Sequence, residues 1–585
     1  MTLVVLIVKP LERPGGLEAL FGVGVLAVAA WTWLSVAWSP VRTQSVLEGE
    51  RSLVLVAGAA AVLVIAGRRP VRPLLAGVLT GITIVCAYAL ATRLAPDRFG
   101  GYHPLAAYRL STPVGYWNGL GVLSAMGVVL AVGSVGHGKR LGTRIAGGVA
   151  LIVLVPALYF TFSRGAWLAL AAGLAVAIGF DRRRLWTVTV LLVSAVAPAL
   201  AIVIASRSGA LTHREVDLAR AAHEGHRVAL ALVVLALVQA LVIWGLAIAQ
   251  TRLRPGNTAR RAAGGALLLG LAVVLLALLA RGGGPVAVAH QLHSSFAAPS
   301  SASNTNLNAR LFNLTGSGRW QLWRAAWHEA GTHPFLGDGA GSFEQYWLAH
   351  RPKSLQVEDA HNLYLETLAE LGPVGLVLLL VFLGVSFAAA VRARRHPLVP
   401  PAAGALAAYC VHASVDWDWE LAGVTLAATL IAAALALAPR ELSPPAPVRA
   451  RPAVRAATLG FVLALAAVAF AGLIGNAAAG RSEAAAAAGN WAAAEANARR
   501  AVRWAPWSSV GWRDLAVAQL GLGQIGQARH SLDEAIAKDP RNWSLWLDLG
   551  AASRGKARGA AFTRVLELNP RSPELEQLRS ELSAP

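Results

Sequence analysis

The chain has 585 residues, enough for more than one domain, but only 14% are charged while 56% belong to the set AVILMFWYC. A soluble protein carries roughly 25% charged residues, so an ordinary soluble globular chain is excluded. The formal net charge of +21 does not point to nucleic acid, because the basic residues sit in short clusters between apolar blocks, the pattern of loops facing anionic lipid. Cys86 and Cys410 each lie inside an apolar block, which argues against a disulfide scaffold or a thiolate metal site. Thr2–Val8 is too short for a signal peptide and no small-residue cleavage site follows, so the first membrane helix is expected to direct insertion.

Val228–Gln250 runs for 23 residues and Leu421–Ala438 for 18 without a charge, and a helix needs about 20 such residues to cross the hydrocarbon core. Spanning helices are expected near 17–37, 52–67, 74–92, 117–135, 145–161, 166–180, 185–205, 228–250, 263–280, 374–391, 402–415, 421–438 and 457–477. The fold class is therefore an all-α polytopic membrane protein with about 12–13 spans. Alternate loops then carry Arg68/Arg69/Arg72, Lys139/Arg140/Arg144, Arg182/Arg183/Arg184, Arg252/Arg254/Arg260/Arg261, Arg392/Arg394/Arg395 and Arg440/Arg449/Arg451/Arg455. That face is expected to be cytoplasmic. The opposite face receives 93–116, 206–227, the long loop 281–373 and everything after about 478.

The C-terminal segment is periodic. Pro506/Pro540, Trp512/Trp546, Leu515/Leu549, Ala518/Ala552 and Ala494/Ala528 are each 34 residues apart, which resembles the tetratricopeptide repeat. The next unit is shorter, since Asn569-Pro570 follows Asp539-Pro540 by 30 residues, and a polar cap, Ser572–Leu582, ends the array. Such repeats either bind a protein partner on a concave face or pack on the membrane domain. The expected division is a membrane domain over 1–440, a linker with the last spanning helix over 441–480, and repeats over 481–585.

Three outer segments carry residues with chemistry. In Thr161-Phe-Ser-Arg-Gly-Ala-Trp167, Arg164 interrupts an apolar run; it is either a turn with a snorkelling Arg or a site, and charge so close to the membrane usually marks a site. Gly318–Ala330 places Leu322, Ala326 and Ala330 at helical spacing, with Arg319, Arg324 and the tryptophans Trp320, Trp323 and Trp327, a stripe that suits an interfacial anchor. Gly337, Gly339 and Gly341 follow and offer backbone N–H groups to a phosphate. In Asp359–Gly375, His361 and Asn362 stand just above a spanning helix. Tyr116-Trp-Asn118, at the mouth of the fourth helix, is placed to line the same pocket, whereas Asp416-Trp-Asp-Trp-Glu420 reads as an interfacial turn rather than a metal site.

Ser-Arg-Gly-Ala, the Arg–Trp helix before Pro-Phe-Leu-Gly-Asp-Gly-Ala-Gly-Ser-Phe, and His-Asn-Leu-Tyr-Leu-Glu…Leu-Gly-Pro-Val-Gly together resemble the O-antigen ligase/polymerase family of bacterial membrane glycosyltransferases over residues 30 to 440. The resemblance implies a GT-C-like membrane fold; with the basic loops above facing the cytoplasm, the long loop and the repeats are expected on the extracytoplasmic side of the inner membrane. It also implies transfer of a glycan from an undecaprenyl-diphosphate carrier to an acceptor hydroxyl on a glycan, lipid or protein. The family's hairpin arginine falls on Arg164, its loop arginine on Arg319 and its histidine on His361. The appended repeats depart from the ligase pattern. Alternatives within the family are a repeat-unit polymerase or a protein glycosyltransferase; outside it, a lipid-linked glycan transporter.

The residues suit that chemistry in their own right. A lipid diphosphate leaves only if its growing charge is neutralised, which two guanidiniums achieve without a metal. A neutral His accepts a proton from an attacking hydroxyl. Arg164, Arg319 and His361 are thus the expected catalytic set, with Arg324, Asn362 and Asn118 as further substrate contacts. No metal or cofactor is expected, and direct attack at the anomeric carbon inverts it.

Overall fold

The computed structural model describes residues 15–67, 69–99, 108–213, 217–252, 256–298, 306–313, 315–443 and 452–577. Thr2–Val8, Arg68, Arg254, Arg449, Arg451 and residues 578–582 of the polar cap lie outside them. Helices are the regular elements of the described residues, with one isolated β-bridge between His213 and Asn306.

Each of the thirteen expected spanning segments overlaps a helix. In chain order these are α1 (Gly16–Ser35), α2 (Arg42–Ile65), α3 (Val71–Leu94), α4 (Trp117–His137), α5 (Leu141–Phe160), α6 (Arg164–Phe180), α7 (Arg184–Ser206), α8 (Leu218–Arg252) and α9 (Asn257–Arg281). In the long loop, besides the single turn Leu307–Leu311, come α10 (Pro285–Ala297), α11 (Arg319–Ala330) and α12 (Phe343–His350), before α13 (Leu363–Arg392), α14 (Val399–Ala413), α15 (Ala422–Leu442) and α16 (Pro452–Ala487). Among the described residues nine helices are by themselves long and apolar enough to cross a membrane, and ten if α9 and α10, bent by 70°, make one broken span. The smaller number has a physical reason. Helices α6 and α14 have only 17 and 15 residues, and the first half of α2 carries Glu48, Glu50 and Arg51.

Helix α4 is the centre of the bundle, buried on nearly every side, which explains a sequence that is apolar all round. Small residues let its neighbours close on one another. A Cβ on Gly173 of α6 would meet the Gly404 carbonyl oxygen at 2.6 Å, and one on Gly404 of α14 would meet that of Gly173 at 2.4 Å. Helix α13 is broken inside: Gly372, at φ +67°, sits so close to the Phe335 carbonyl that a Cβ there would meet it at 2.5 Å. Leu-Gly-Pro thus separates the first segment, 363–371, from the longer apolar part of the helix.

The C-terminal helices α17 (Trp491–Trp504), α18 (Ser509–Gly521), α19 (Ile525–Lys538), α20 (Trp543–Ala551) and α21 (Gly555–Leu568) stack in sequence, burying Ala494, Ala528 and Leu515 at the repeat positions. They pack on the membrane domain. The Thr43 amide donates to Asp539 Oδ1 at 3.0 Å and the Ser509 amide to Thr43 Oγ1 at 2.9 Å. Arg351 Nη2 donates to Asn569 Oδ1 at 2.7 Å and to the Arg571 carbonyl at 3.0 Å. Since Arg351 belongs to the long loop, loop and repeats lie on one side of the bundle.

Thr43 Oγ1 and Ser509 Oγ are 3.3 Å apart, within reach of a disulfide. Replacing both (Thr43→Cys with Ser509→Cys) should give an intramolecular crosslink in mild oxidant, read by peptide mass spectrometry. A pair that stays reduced would show that the repeats do not dock there.

Candidate functional site

The site is assembled where helices begin. Ser163 caps α6, its side chain accepting from the Ala166 amide at 3.3 Å, so Arg164 occupies the first turn. Arg164 Nη2 reaches back to the Thr315 carbonyl at 2.9 Å and Ser317 Oγ at 3.4 Å, tying the hairpin to the segment before α11. Gly165 has no side chain because the neighbouring site is taken: a Cβ there would meet His412 Nε2 at 3.1 Å. Asn362 caps α13 by accepting from the Tyr364 and Leu365 amides at 3.1 Å each, which leaves His361 outside the helix.

Arg319, the first residue of α11, donates from Nη2 to Asp416 Oδ2 at 2.6 Å. Asp416 is 2% exposed and also accepts from the Tyr116 hydroxyl at 2.7 Å and Asn118 Nδ2 at 2.5 Å. Burial alone would raise its pKa; Arg319, aided by His361 and His412, holds it at about 2. Burial likewise opposes the charge on Arg319, and Asp416 outweighs it, so the guanidinium stays charged. Its buried Nε has no partner among the described residues. Arg310 lies with Arg319 within electrostatic reach of Arg164, so three guanidiniums converge.

His361 stands beside this pair. Its Nδ1 lies 3.0 Å from the Asp359 carbonyl, which can only accept, so Nδ1 carries the proton and Nε2 keeps its lone pair. Burial pushes its pKa below the ordinary imidazole value; Asp416 opposes that and Arg319 adds to it. Its ring meets Trp417 edge-on, centroids 6.5 Å apart, and Trp323 Nε1 donates to its carbonyl at 3.3 Å. Phe162, Ser317 and His361, next to or within the three expected segments, all have positive φ, at 48°, 54° and 57°. Such backbone is costly for non-glycine residues and concentrates at functional sites.

Arg164, Arg319, His361, Asn362 and Asn118 thus gather at one end of the bundle, while Arg324 is exposed on α11. Two readings change. The amides following Gly337 do not cradle a phosphate: those of Asp338 and Gly339 donate to the Ala369 and Glu370 carbonyls, and those of Gly341 and Phe343 to the Glu370 carboxylate. Asp416–Glu420 is not an interfacial turn, since Asp416 holds Arg319 and Asp418 pairs with His412, both fully buried. Arg310 and His412 carried no motif that could have revealed them.

Beside the cluster, α1, α2, α13 and α15 enclose a cavity of about 200 Å³ with walls such as Val25, Leu379 and Phe382 and a carboxylate rim of Glu48, Glu366, Glu370 and Glu420 around Arg51. Among the described residues two groups are close enough to share a cation: Asp359, Glu366 and Glu420, and His412, Asp416 and Asp418.

Residues 225–380 match the family described as O-antigen ligase. The O-antigen ligase match contains Arg310, Arg319 and His361, and supports a ligase- or polymerase-like activity for this multi-pass protein. Arg164, Asn118 and Asp416 lie outside the matched range and join the site through the fold. Residues 485–552 match the tetratricopeptide repeat, and no curated protein matches the chain.

Because the folded Asp416 pKa lies below its ordinary 3.8, its contribution to stability is complete above about pH 4 and is lost as the pH falls through 2. Asp416→Asn should cost about 3–5 kcal/mol at neutral pH, as it leaves Arg319 unpaired. In thermal unfolding, the gap between wild type and variant should shrink towards pH 2; a gap independent of pH would contradict the pairing.

Proposed function

We propose that the protein transfers a glycan from an undecaprenyl-diphosphate carrier to an acceptor hydroxyl on the extracytoplasmic face of the inner membrane, as an O-antigen ligase-like glycosyltransferase. The observation that carries this reading is His361 with a free Nε2 lone pair beside the anchored Arg319. Arg319 and Arg164 take the diphosphate, whose negative charge grows as the anomeric bond breaks. His361 accepts the proton of the attacking hydroxyl, and its lowered pKa keeps it neutral for that task. Attack opposite the leaving diphosphate inverts the anomeric centre. No metal is required in this scheme, because guanidiniums supply the positive charge and Asp416 is already occupied by Arg319, Tyr116 and Asn118.

The neighbouring cavity fits the same reading. Its apolar walls suit a prenyl or acyl chain, and its carboxyl groups, which burial pushes towards the protonated form, suit sugar hydroxyls as donors and acceptors. Basic clusters at the other ends of the helices support a cytoplasmic placement of that face and an outer placement of site and repeats. Ligase and polymerase differ here only in the acceptor, and the docked repeats offer a surface for a protein partner.

His361→Asn should lower the transfer rate by roughly 10²–10⁴-fold without loss of folded protein, since Asn362 rather than His361 caps the helix. Arg164→Lys and Arg319→Lys keep the charge but lose the two-pronged donor geometry, and should also transfer poorly. Near-native rates for His361→Asn would remove the base assignment.

The wild-type rate should hold as the pH is lowered through about 6.5, the ordinary imidazole value, and fall only below it. An acid limb centred above 6.5 would show that the proton acceptor is another group.

For sidedness, Leu355→Cys in the long loop and Lys139→Cys between α4 and α5 should label differently in intact spheroplasts, the first with an impermeant thiol reagent and the second only after lysis. The reverse pattern would invert the orientation.

A further inference from the structure

Helices α4, α6 and α13 each start at the site and run away from it, the 21 residues of α4 rising roughly 30 Å. Their far ends enclose a second cavity, of about 650 Å³. Its wall carries Lys139, Arg182, Arg183, Arg394 and Arg395, all exposed, and among the described residues none of the five is ion-paired with a carboxylate.

Among the described residues the one carboxylate on that wall is Asp181, which is 4% exposed and already satisfied. It takes hydrogen bonds from His137 Nε2 and the Arg183 amide at 2.8 Å each and from the Thr187 hydroxyl. Five cations from three loops, 137–140, 181–184 and 394–396, therefore face one concavity, against the single carboxylate of Asp181 and, behind His396, that of Glu441 at 3.1 Å. Dispersed loop charge would meet the positive-inside tendency equally well; convergence on a cavity is the additional fact.

We propose that this cavity binds the phosphate headgroup of an anionic phospholipid from the leaflet it faces. Arginines offer planar paired donors to phosphate oxygens, and basic recesses between spanning helices suit such headgroups. Val391, 54% exposed on the apolar surface of α13 one turn before Arg394, places acyl chains of the surrounding leaflet beside the cavity. That apolar margin favours a phosphate attached to acyl chains over a free one. Bound lipid would brace the ends of the helices whose other ends carry Asn118, Arg164 and His361.

The test uses the full-length protein in phosphatidylcholine nanodiscs containing graded phosphatidylglycerol, with bound lipid counted by native mass spectrometry. Wild type should prefer phosphatidylglycerol. Arg182→Gln with Arg395→Gln should weaken that preference by roughly thirtyfold, two basic contacts at the membrane surface. Arg252→Gln with Arg261→Gln, which removes equal charge from another loop on that face, should leave it unchanged. Arg182→Lys with Arg395→Lys should retain most of the preference, separating loss of charge from loss of fold. Equal loss in both Gln pairs overturns the site in favour of diffuse attraction. Displacement of the lipid by inorganic phosphate at millimolar concentration overturns the lipid in favour of a soluble anion.

Discussion

The ion pair between Arg319 and Asp416 is the contact on which the site depends. Placing a guanidinium next to a membrane is costly unless its charge is met, and a carboxylate that is 2% exposed is costlier still when alone. Together, with Tyr116 and Asn118 completing the acceptor set of Asp416, they fix α11 of the long loop against the mouths of α4 and α14. One end of the guanidinium is thereby committed to structure, while its buried Nε stays unpartnered. With 18% of its side chain still exposed, the same residue is held rigidly at the margin of the site.

Around that pair the chain spends conformational strain. Phe162, Ser317 and His361 adopt left-handed backbone where glycine would be easier. Each holds a side chain or a neighbour in place: Phe162 precedes the capped start of α6, Ser317 accepts from Arg164, and His361 turns its ring towards Trp417. Docking of the repeats on Thr43 and Arg351 places a second set of contacts on the same side. The other ends of the helices carry the opposite character, bare cations around a cavity, so the bundle is chemically two-sided.

Helix positions were legible because apolar blocks and basic loops alternate, a signal carried within each segment. The start of α2 was not: the apolar window begins at residue 52, but the helix begins at Arg42, since Glu48 and Arg51 find partners in the fold. Arg164, Arg319 and His361 stood out locally. The role of Asp416 did not, because its partner lies 97 residues away and the Asp-Trp-Asp pattern looks the same in a turn as in a buried acceptor. Gly337–Gly341 failed for a related reason. Glycines that admit a phosphate also admit the backbone of a neighbouring helix, and only the position of Glu370 decides between them.

The most direct test of the account is a reconstituted transfer assay. Purified protein in liposomes would be given undecaprenyl-diphosphate-linked glycan and an acceptor with excess EDTA, and the products followed by mass spectrometry and by NMR of the new anomeric centre. The account predicts release of undecaprenyl diphosphate in step with glycosylated acceptor, an inverted anomeric configuration and no loss of rate to the chelator. Glycan that crosses the membrane still attached to its carrier, or transfer that stops in EDTA and returns with a divalent cation, would contradict it.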